Sequence, residues 1–450
     1  MEPCSERRAT PFTPLVRVAL KVAVIGAGWA GCAAAVEATR LGHSVTLYEA
    51  TRSAGGRARR VESTLRGQSL MLDNGQHILI GAYTETLDLM ALVGVNPAAV
   101  LLRIPLTLRF PDGTGLQFRA LVSPLDALHA MATARGWSWR ERLALLRRAW
   151  RWQVNKFECT ATLSVADLCA GLPDAVMHGL IEPLCVSALN TPASRASGQV
   201  FLRVLKDALF QANGGSNLLL PRVDLSALLP DAALAWLAAH GAQVLRGQRV
   251  QALRQQGSGW GVTAGDTTDF ECVVLACPVS ESLRLVRSSG LPSEDWQARA
   301  QALAHEALTT VYALAPDRPG AMLSHPMLTL RSDARYPAQF VFDRGQLGGP
   351  AGLLAFVISA SSGDSAALTE QVLAQAKAQL GLHLQPLQTI VEKRATFACT
   401  PGLQRPQAEL APTLLACGDY IAGPYPATLE GAVRSGLAAA RNLTPVGTRA

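Results

Sequence analysis

Lys21-Val22-Ala23-Val24-Ile25-Gly26-Ala27-Gly28-Trp29-Ala30-Gly31, followed by an alanine-rich run to Leu41 and then by Val45-Thr46-Leu47-Tyr48-Glu49, decides the fold of this chain. The apolar run before Gly26 has the pattern of a strand buried on both faces of a parallel sheet. The alanine-rich run reads as a helix, Gly42-His43 as a turn, and Val45–Tyr48 as a second strand ending in an acid. This is the β-turn-α-β context that makes G-x-G-x-x-G a dinucleotide site. Gly26 permits the tight turn, Gly28 lets a pyrophosphate approach the backbone, and Gly31 lets the helix sit on the strand. The helix start at Trp29 and Ala30 presents free N–H groups and about half a positive charge to phosphate. Glu49 stands where an acid accepts hydrogen bonds from the adenosine ribose, and it repels a 2′-phosphate, which argues against NADP.

Directly downstream, Ala50 leads through Ala54 to Gly55-Gly56-Arg57-Ala58-Arg59. This stretch resembles the second fingerprint of the amine oxidase, carotenoid desaturase and protoporphyrinogen oxidase superfamily. The resemblance implies FAD, with Gly55 and Gly56 passing close to it and Arg57 supporting its phosphates. The C-terminal Leu414-Leu415-Ala416-Cys417-Gly418-Asp419 and Pro424–Val433 are similar to the same family's closing flavin motif. There Asp419, after Gly418, is expected to hold the ribityl chain. The helix starting at Thr428-Leu429 is expected to face the flavin pyrimidine edge, where a helix N-terminus favours charge developing on reduction. Residues 241–250 and 273–278 resemble the strands that close the adenine side, with the Val250 backbone as the implied contact. Asp73-Asn74-Gly75-Gln76-His77 corresponds to the stretch that runs past the flavin ring, so Gly75 and Gln76 are expected at the cofactor.

These pieces predict an α/β fold: a discontinuous Rossmann-like FAD-binding domain (21–84, 216–285 and 396–450) with an interposed, partly helical substrate domain (85–215 and 286–395). Residues 1–20 read as an N-terminal extension without the apolar core of a secretory signal. Gly257-Ser258-Gly259-Trp260-Gly261 lacks a strand-to-helix change and reads as a hairpin turn, not a second nucleotide site. Electrons therefore come from an external donor or leave with the substrate. The chain has 450 residues, 49% of them hydrophobic and 17% charged, enough for a large core. Its net charge of +7 is mostly arginine and comes without a nucleic-acid motif, which excludes that partner class. Two readings of the charge remain open, an anionic lipid surface and a generically basic enzyme. The nine cysteines form no C-x-x-C pair, so neither a metal site nor a redox dithiol is expected, and a reducing cytoplasm is.

No stretch has the roughly 20 uncharged apolar residues of a membrane span. In 137–152, however, Trp139, Leu143, Leu146 and Trp150 share a helical face beside several arginines. That pattern fits either a peripheral contact with the cytoplasmic membrane or a helix seated on its own domain.

Residues 72–90, 181–205 and 218–230 narrow the likeness to the squalene-associated, FAD-dependent hydroxysqualene dehydroxylases of bacterial hopanoid biosynthesis, and this resemblance runs from Lys21 to Asn442. It implies reductive removal of an allylic hydroxyl from hydroxysqualene, an apolar isoprenoid, giving squalene. An acid must then protonate the leaving hydroxyl, and His77 and Asp73 are the candidates. His77 is equally readable as a structural hydrogen-bonder beneath the ring. Cys399 is open to two readings, a flavin link and a buried thiol. Two rivals stand: a desaturase or oxidase of an isoprenoid, tetrapyrrole or amine, and a lipid-binding protein on the same scaffold without flavin chemistry.

Overall fold

The computed structural model describes residues 19–65, 67–119, 125–210, 214–315 and 320–444. All but Ala19 and Leu20 of the N-terminal extension, and the last six residues, lie outside these. The chain's first strand, Lys21–Ile25, sits at the middle of a six-stranded sheet. Ser44–Glu49 and then Gln243–Arg246 flank it on one side; Cys272–Leu275, Leu414–Ala416 and Glu409–Ala411 flank it on the other. The first five are parallel and Glu409–Ala411 closes the edge antiparallel. Ala23 and Ile25 join one core and Val22 and Val24 the other, so the centre of the sheet is covered on both faces, as the uninterrupted apolar run demands. Neighbours in this sheet come from both ends and the middle of the sequence. The chain leaves Lys21–Ile25 to one side and later returns on the other, which opens a crevice at the strands' C-terminal ends. The glycine-rich 257–261 segment is the turn of an antiparallel hairpin, Ala252–Gln256 with Gly259–Ala264, as its sequence suggests.

Two helices brace the crevice, Trp29–Arg40 from the start of the chain and Leu429–Arg441 from its end. Their crossing is made of small residues. A Cβ on Gly436 would lie 2.1 Å from the Ala30 carbonyl oxygen, so only glycine permits the approach. The buried Glu37 carboxylate ties the pair by accepting from Arg40 of its own helix (2.8 and 2.9 Å) and from Arg441 of the other (2.8 Å). Arg40 and Arg441 together hold that carboxyl below its usual pKa despite burial.

The second half is built on a five-stranded antiparallel sheet: Met327–Thr329, Phe340–Asp343, Leu353–Ser359, His305–Leu314 and Gln385–Phe397 in spatial order. Its strands show the period of two directly. Val311, Val341, Phe356 and Ile358 meet helix Ser365–Leu380 on one face. Tyr312, Phe340, Phe342 and Val357 join the main core on the other face. Residues 125–210 are largely helical and close over that second face. Asn190, in the left-handed region (φ 46°) at the end of helix Glu182–Leu189, clamps these parts together. Its amide donates to Thr396 Oγ1 (3.1 Å) and accepts from Ala360 N (2.8 Å). None of the described helices is long and apolar enough to cross a membrane.

Gly436→Val is expected to force the two bracing helices apart and destabilise the protein by about 3 kcal/mol or more. Urea unfolding of the purified protein, with flavin content per chain measured alongside, checks this.

Candidate active site

The crevice is a cavity of about 670 Å³ that gathers residues from both ends and the middle of the sequence. Gly26, Gly28, Trp29, Ala30, Glu49, Gly55, Gly56, Arg57, Gly75, Gln76, His77, Val250, Gly418, Asp419, Thr428 and Leu429 all line it. Of the residues singled out from sequence, Gly31 and Asp73 do not.

The three glycines of the turn differ in what they exclude. Gly26 takes φ +111° with its Cβ position 2.7 Å from the Ala276 carbonyl oxygen, and a Cβ on Gly31 would meet the Gly26 oxygen at 1.8 Å. These two are required by the protein itself. A Cβ on Gly28 would touch only Gly56 Cα, at 3.9 Å. Nothing in the polypeptide demands glycine there, and the space beside it belongs to the cavity. Helix Trp29–Arg40 starts at Gly28 without a side-chain cap and without an acid in its first turn, so its leading N–H groups remain available. An uncapped helix start beside an open glycine suits a pyrophosphate. Gly55 N donates to Ala27 O (2.8 Å), bringing the Gly55-Gly56 turn against the same spot.

Glu49 does more than its sequence position suggests. One carboxylate oxygen accepts from Ala27 N and the other from Thr51 N and Thr51 Oγ1, each at 2.8 Å. It shapes the phosphate turn from within and still lines the adenosine end of the cavity. The Val250 carbonyl accepts from Arg284 Nη2 (2.7 Å), and Val250 lines the cavity.

Arg57 and Asp419 meet as an ion pair across the cavity wall, Nη2 to Oδ1, and Arg57 Nη1 also donates to Ala395 O (2.7 Å). The paired carboxylate raises the arginine's pKa although burial opposes it. Arginine and aspartate, read as separate contacts to phosphate and ribityl, are thus one unit that fastens the N-terminal turn to the C-terminal one. Thr428 caps helix Leu429–Arg441 by accepting from Gly431 N (3.0 Å), so that helix start also points at the cavity. Tyr425 and Ala427 just before it are held at φ 55° and 58°, a cost concentrated where the chain turns around the site.

The Asp73–His77 loop divides its labour. Asp73 is buried away from the cavity: its Oδ1 accepts from Leu225 N (2.8 Å), and Oδ2 lies 3.9 Å from Arg344 Nη2. This counts against its candidacy as the catalytic acid, because the carboxyl anchors the loop and does not line the cavity. Burial pushes its pKa up to about 6, against the pull of Arg344. Asn74 ties the loop on its other side, donating to Arg57 O (3.1 Å) and Glu392 Oε2 (3.0 Å). Gln76 and His77 then face the cavity. The Gln76 oxygen is turned toward Arg344 Nη1 (3.4 Å), and its buried Nε2 has no protein partner. His77 Nδ1 lies 2.7 Å from Gly75 O, which fixes the proton on Nδ1 and leaves Nε2 as the free ring nitrogen. Burial and then Arg57 depress its pKa, while Gly75 O opposes them, so the ring is neutral near pH 7.

Beyond the loop the cavity is apolar. Leu106, Leu108, Leu184, Phe201, Met327 and Phe342 line it, contributed by both parts of the second half. Arg344, Asn190, Tyr83 and Glu430 were not legible in sequence. Glu430 is fully buried in the first turn of the C-terminal helix and accepts from Thr86 N (3.0 Å) and Thr86 Oγ1 (2.6 Å), fixing helix Thr84–Leu92. Only its place beside the cofactor helix offered a signal. Cys399 is buried, does not line the cavity, and has its thiol pKa pushed up to about 12, which leaves the reading of a buried, unreactive thiol. Among the described residues no cluster of side chains could hold a metal ion.

Gly28→Ala is expected to leave the flavin-free protein within about 1 kcal/mol of wild type yet weaken FAD at least about tenfold, whereas Gly31→Ala is expected to disrupt the fold. Flavin titration and thermal unfolding of the same preparations separate the two. For Asp73, the folded pKa of about 6 exceeds the ordinary 3.8, so the group's contribution to stability is complete below about pH 4 and disappears as pH rises through 6. Asp73→Asn is expected to keep activity and to flatten the stability profile over that window; loss of turnover without loss of flavin would return Asp73 to the chemistry.

Residues 29–444 match the family model described as flavin containing amine oxidoreductase. The chain is 30% identical to the hydroxysqualene dehydroxylase of Rhodopseudomonas palustris over 93% of this chain and 97% of that one. It is 40% identical to the zeta-carotene desaturase of Synechocystis, but over only 77 residues, 17% of this chain and 15% of the other. Among solved structures, an oxidoreductase from Methanosarcina mazei superposes with a TM-score of 0.70 over 93% of this chain and 99% of that chain, at 17% identity. The uncapped helix, the open glycine and the end-to-end match agree: this chain belongs to the flavin-containing amine oxidoreductase family and is an FAD-dependent oxidoreductase.

Proposed function

We propose that this protein removes the allylic hydroxyl of hydroxysqualene reductively, giving squalene. The observation that carries this reading is the difference in extent of the two likenesses: full length to a hydroxysqualene dehydroxylase, a short segment to a carotenoid desaturase. The apolar end of the cavity suits a long isoprenoid. When bound and reduced, the flavin would supply the hydride that replaces the hydroxyl on the allylic carbon and would be left as oxidised FAD, while the hydroxyl departs with one proton as water.

The chain's own residues bind, exclude water and deliver that proton. Gly28, the start of helix Trp29–Arg40 and the Arg57–Asp419 pair would hold the cofactor. Leu108, Phe201 and Phe342 keep water from the carbon that loses its hydroxyl. His77 is the titratable group placed between the cofactor loop and the apolar lobe. With Nδ1 engaged by Gly75, its second proton enters and leaves at Nε2, which meets the substrate oxygen. Because burial lowers the ring's pKa, that proton is present only below the usual histidine range. The rate of a single turnover should therefore rise as pH falls from 8 and level off below the depressed pKa. An external donor re-reduces the flavin.

Anaerobic reduction of the purified protein with dithionite, followed by hydroxysqualene, is expected to give one squalene per flavin reoxidised. A flavin that stays reduced over intact alcohol would return the assignment to a desaturase or oxidase. His77→Gln is expected to slow the turnover about 100-fold and abolish its pH dependence; an unchanged profile would remove His77 from proton delivery.

A further inference from the structure

Helix Trp139–Val154 starts with a capping box: Glu141 N donates to Ser138 Oγ, and Ser138 N donates to Glu141 (2.6 Å). At about 100° per residue it carries two apolar stripes. Leu145 and Trp152 point inward and join the core that includes Phe201 and Leu205 of the cavity wall. The stripe read from sequence is the other one and turns mostly to solvent: Trp139 is 77% exposed under Arg142, Leu143 45% and Trp150 65%, with Leu146 half-buried, and Val154 (57%) extends it. The helix is seated on its own domain through Leu145 and Trp152, and most of the stripe read from sequence lies outside that contact. The neighbouring helix Leu125–Thr133 adds Leu125 and Leu128, also exposed. Nine large hydrophobic side chains are exposed among the described residues, and six lie on these two helices, which makes a patch and not scatter.

The arginines of the helix divide in the same way. Arg142 is committed to the Ala134 carbonyl (2.7 Å) and Arg148 to the Leu168 carbonyl (2.6 Å). Arg140, Arg147 and Arg151 have no partner among the described residues and border one side of the exposed stripe. We propose that this face docks on an anionic lipid bilayer, with the helix lying in the interfacial plane, its tryptophans at headgroup depth and its three free arginines on lipid phosphates. Tryptophan and arginine at this spacing have the chemistry of an interfacial helix. Charge also selects the occupant, because a second copy would bring the same unpaired cations against each other. The inference rests on this exposed face and stands whatever the reaction.

The flavin-loaded, full-length protein should co-sediment with vesicles of phosphatidylglycerol and phosphatidylcholine, with a blue shift of tryptophan emission, and much less with phosphatidylcholine alone. Replacing Arg140, Arg147 and Arg151 together by Gln should lower partitioning about 100-fold at low salt, about fivefold per arginine. Trp139→Ser with Trp150→Ser should lower it at least about tenfold. Both variants should retain flavin content and thermal midpoint, which separates a surface effect from misfolding. Failure of the wild type to bind anionic vesicles, or equal binding by both variants, overturns the proposal. So does a wild-type dimer that the tryptophan variant dissociates, since the face would then be covered by a second copy.

Discussion

Everything at the site depends on the close approach of backbone to backbone around Gly26, Gly31 and Gly436. The Gly26 carbonyl occupies the position of a Gly31 side chain, and the Ala30 carbonyl occupies that of Gly436. These contacts set the first helix on the sheet and the last helix on the first. Because the two helices start at the same crevice, both N-termini line one cavity. A helix N-terminus contributes only a partial charge over its first turn, so position within a few ångströms decides whether it acts on the cofactor at all.

On that frame the charged residues serve mainly as fasteners. Glu37 joins the bracing helices, Glu430 joins the last helix to Thr84–Leu92, Glu49 holds the phosphate turn, and Arg57 with Asp419 joins the two cofactor turns. Each is largely buried and each has its partner, as burial of charge requires. Asp73 follows the same logic, which is why its carboxyl ends as an anchor while its neighbours Gln76 and His77 line the cavity.

The cavity joins a polar cradle to an apolar lobe, and the boundary is the Gly75–His77 turn. His77 stands at that boundary, its Nδ1 held by Gly75 O and its Nε2 left as the free ring nitrogen. The outer surface has a comparable division: the helix whose inner face supports the lobe turns its remaining apolar stripe outward.

The nucleotide unit was readable from residues 21–59 because its constraints are local: a buried strand has to be apolar, a tight turn requires glycine, and an acid ends the second strand. The cofactor residues at 250 and 414–433 came into reach only through likeness to a family, since nothing local marks them. Sequence alone also determined the hairpin at 257–261 and the amphipathic character of 139–154. Only the tertiary structure decided which of that helix's two apolar stripes is buried, because both have the same period and the choice rests on what stands opposite. It likewise decided that Asp73 turns to Leu225 and His77 to the cavity. Adjacent residues in an irregular loop have no periodicity to sort them: the Asp73 carboxylate is fixed by Leu225, 152 residues away, and the His77 ring by Gly75 within the loop itself.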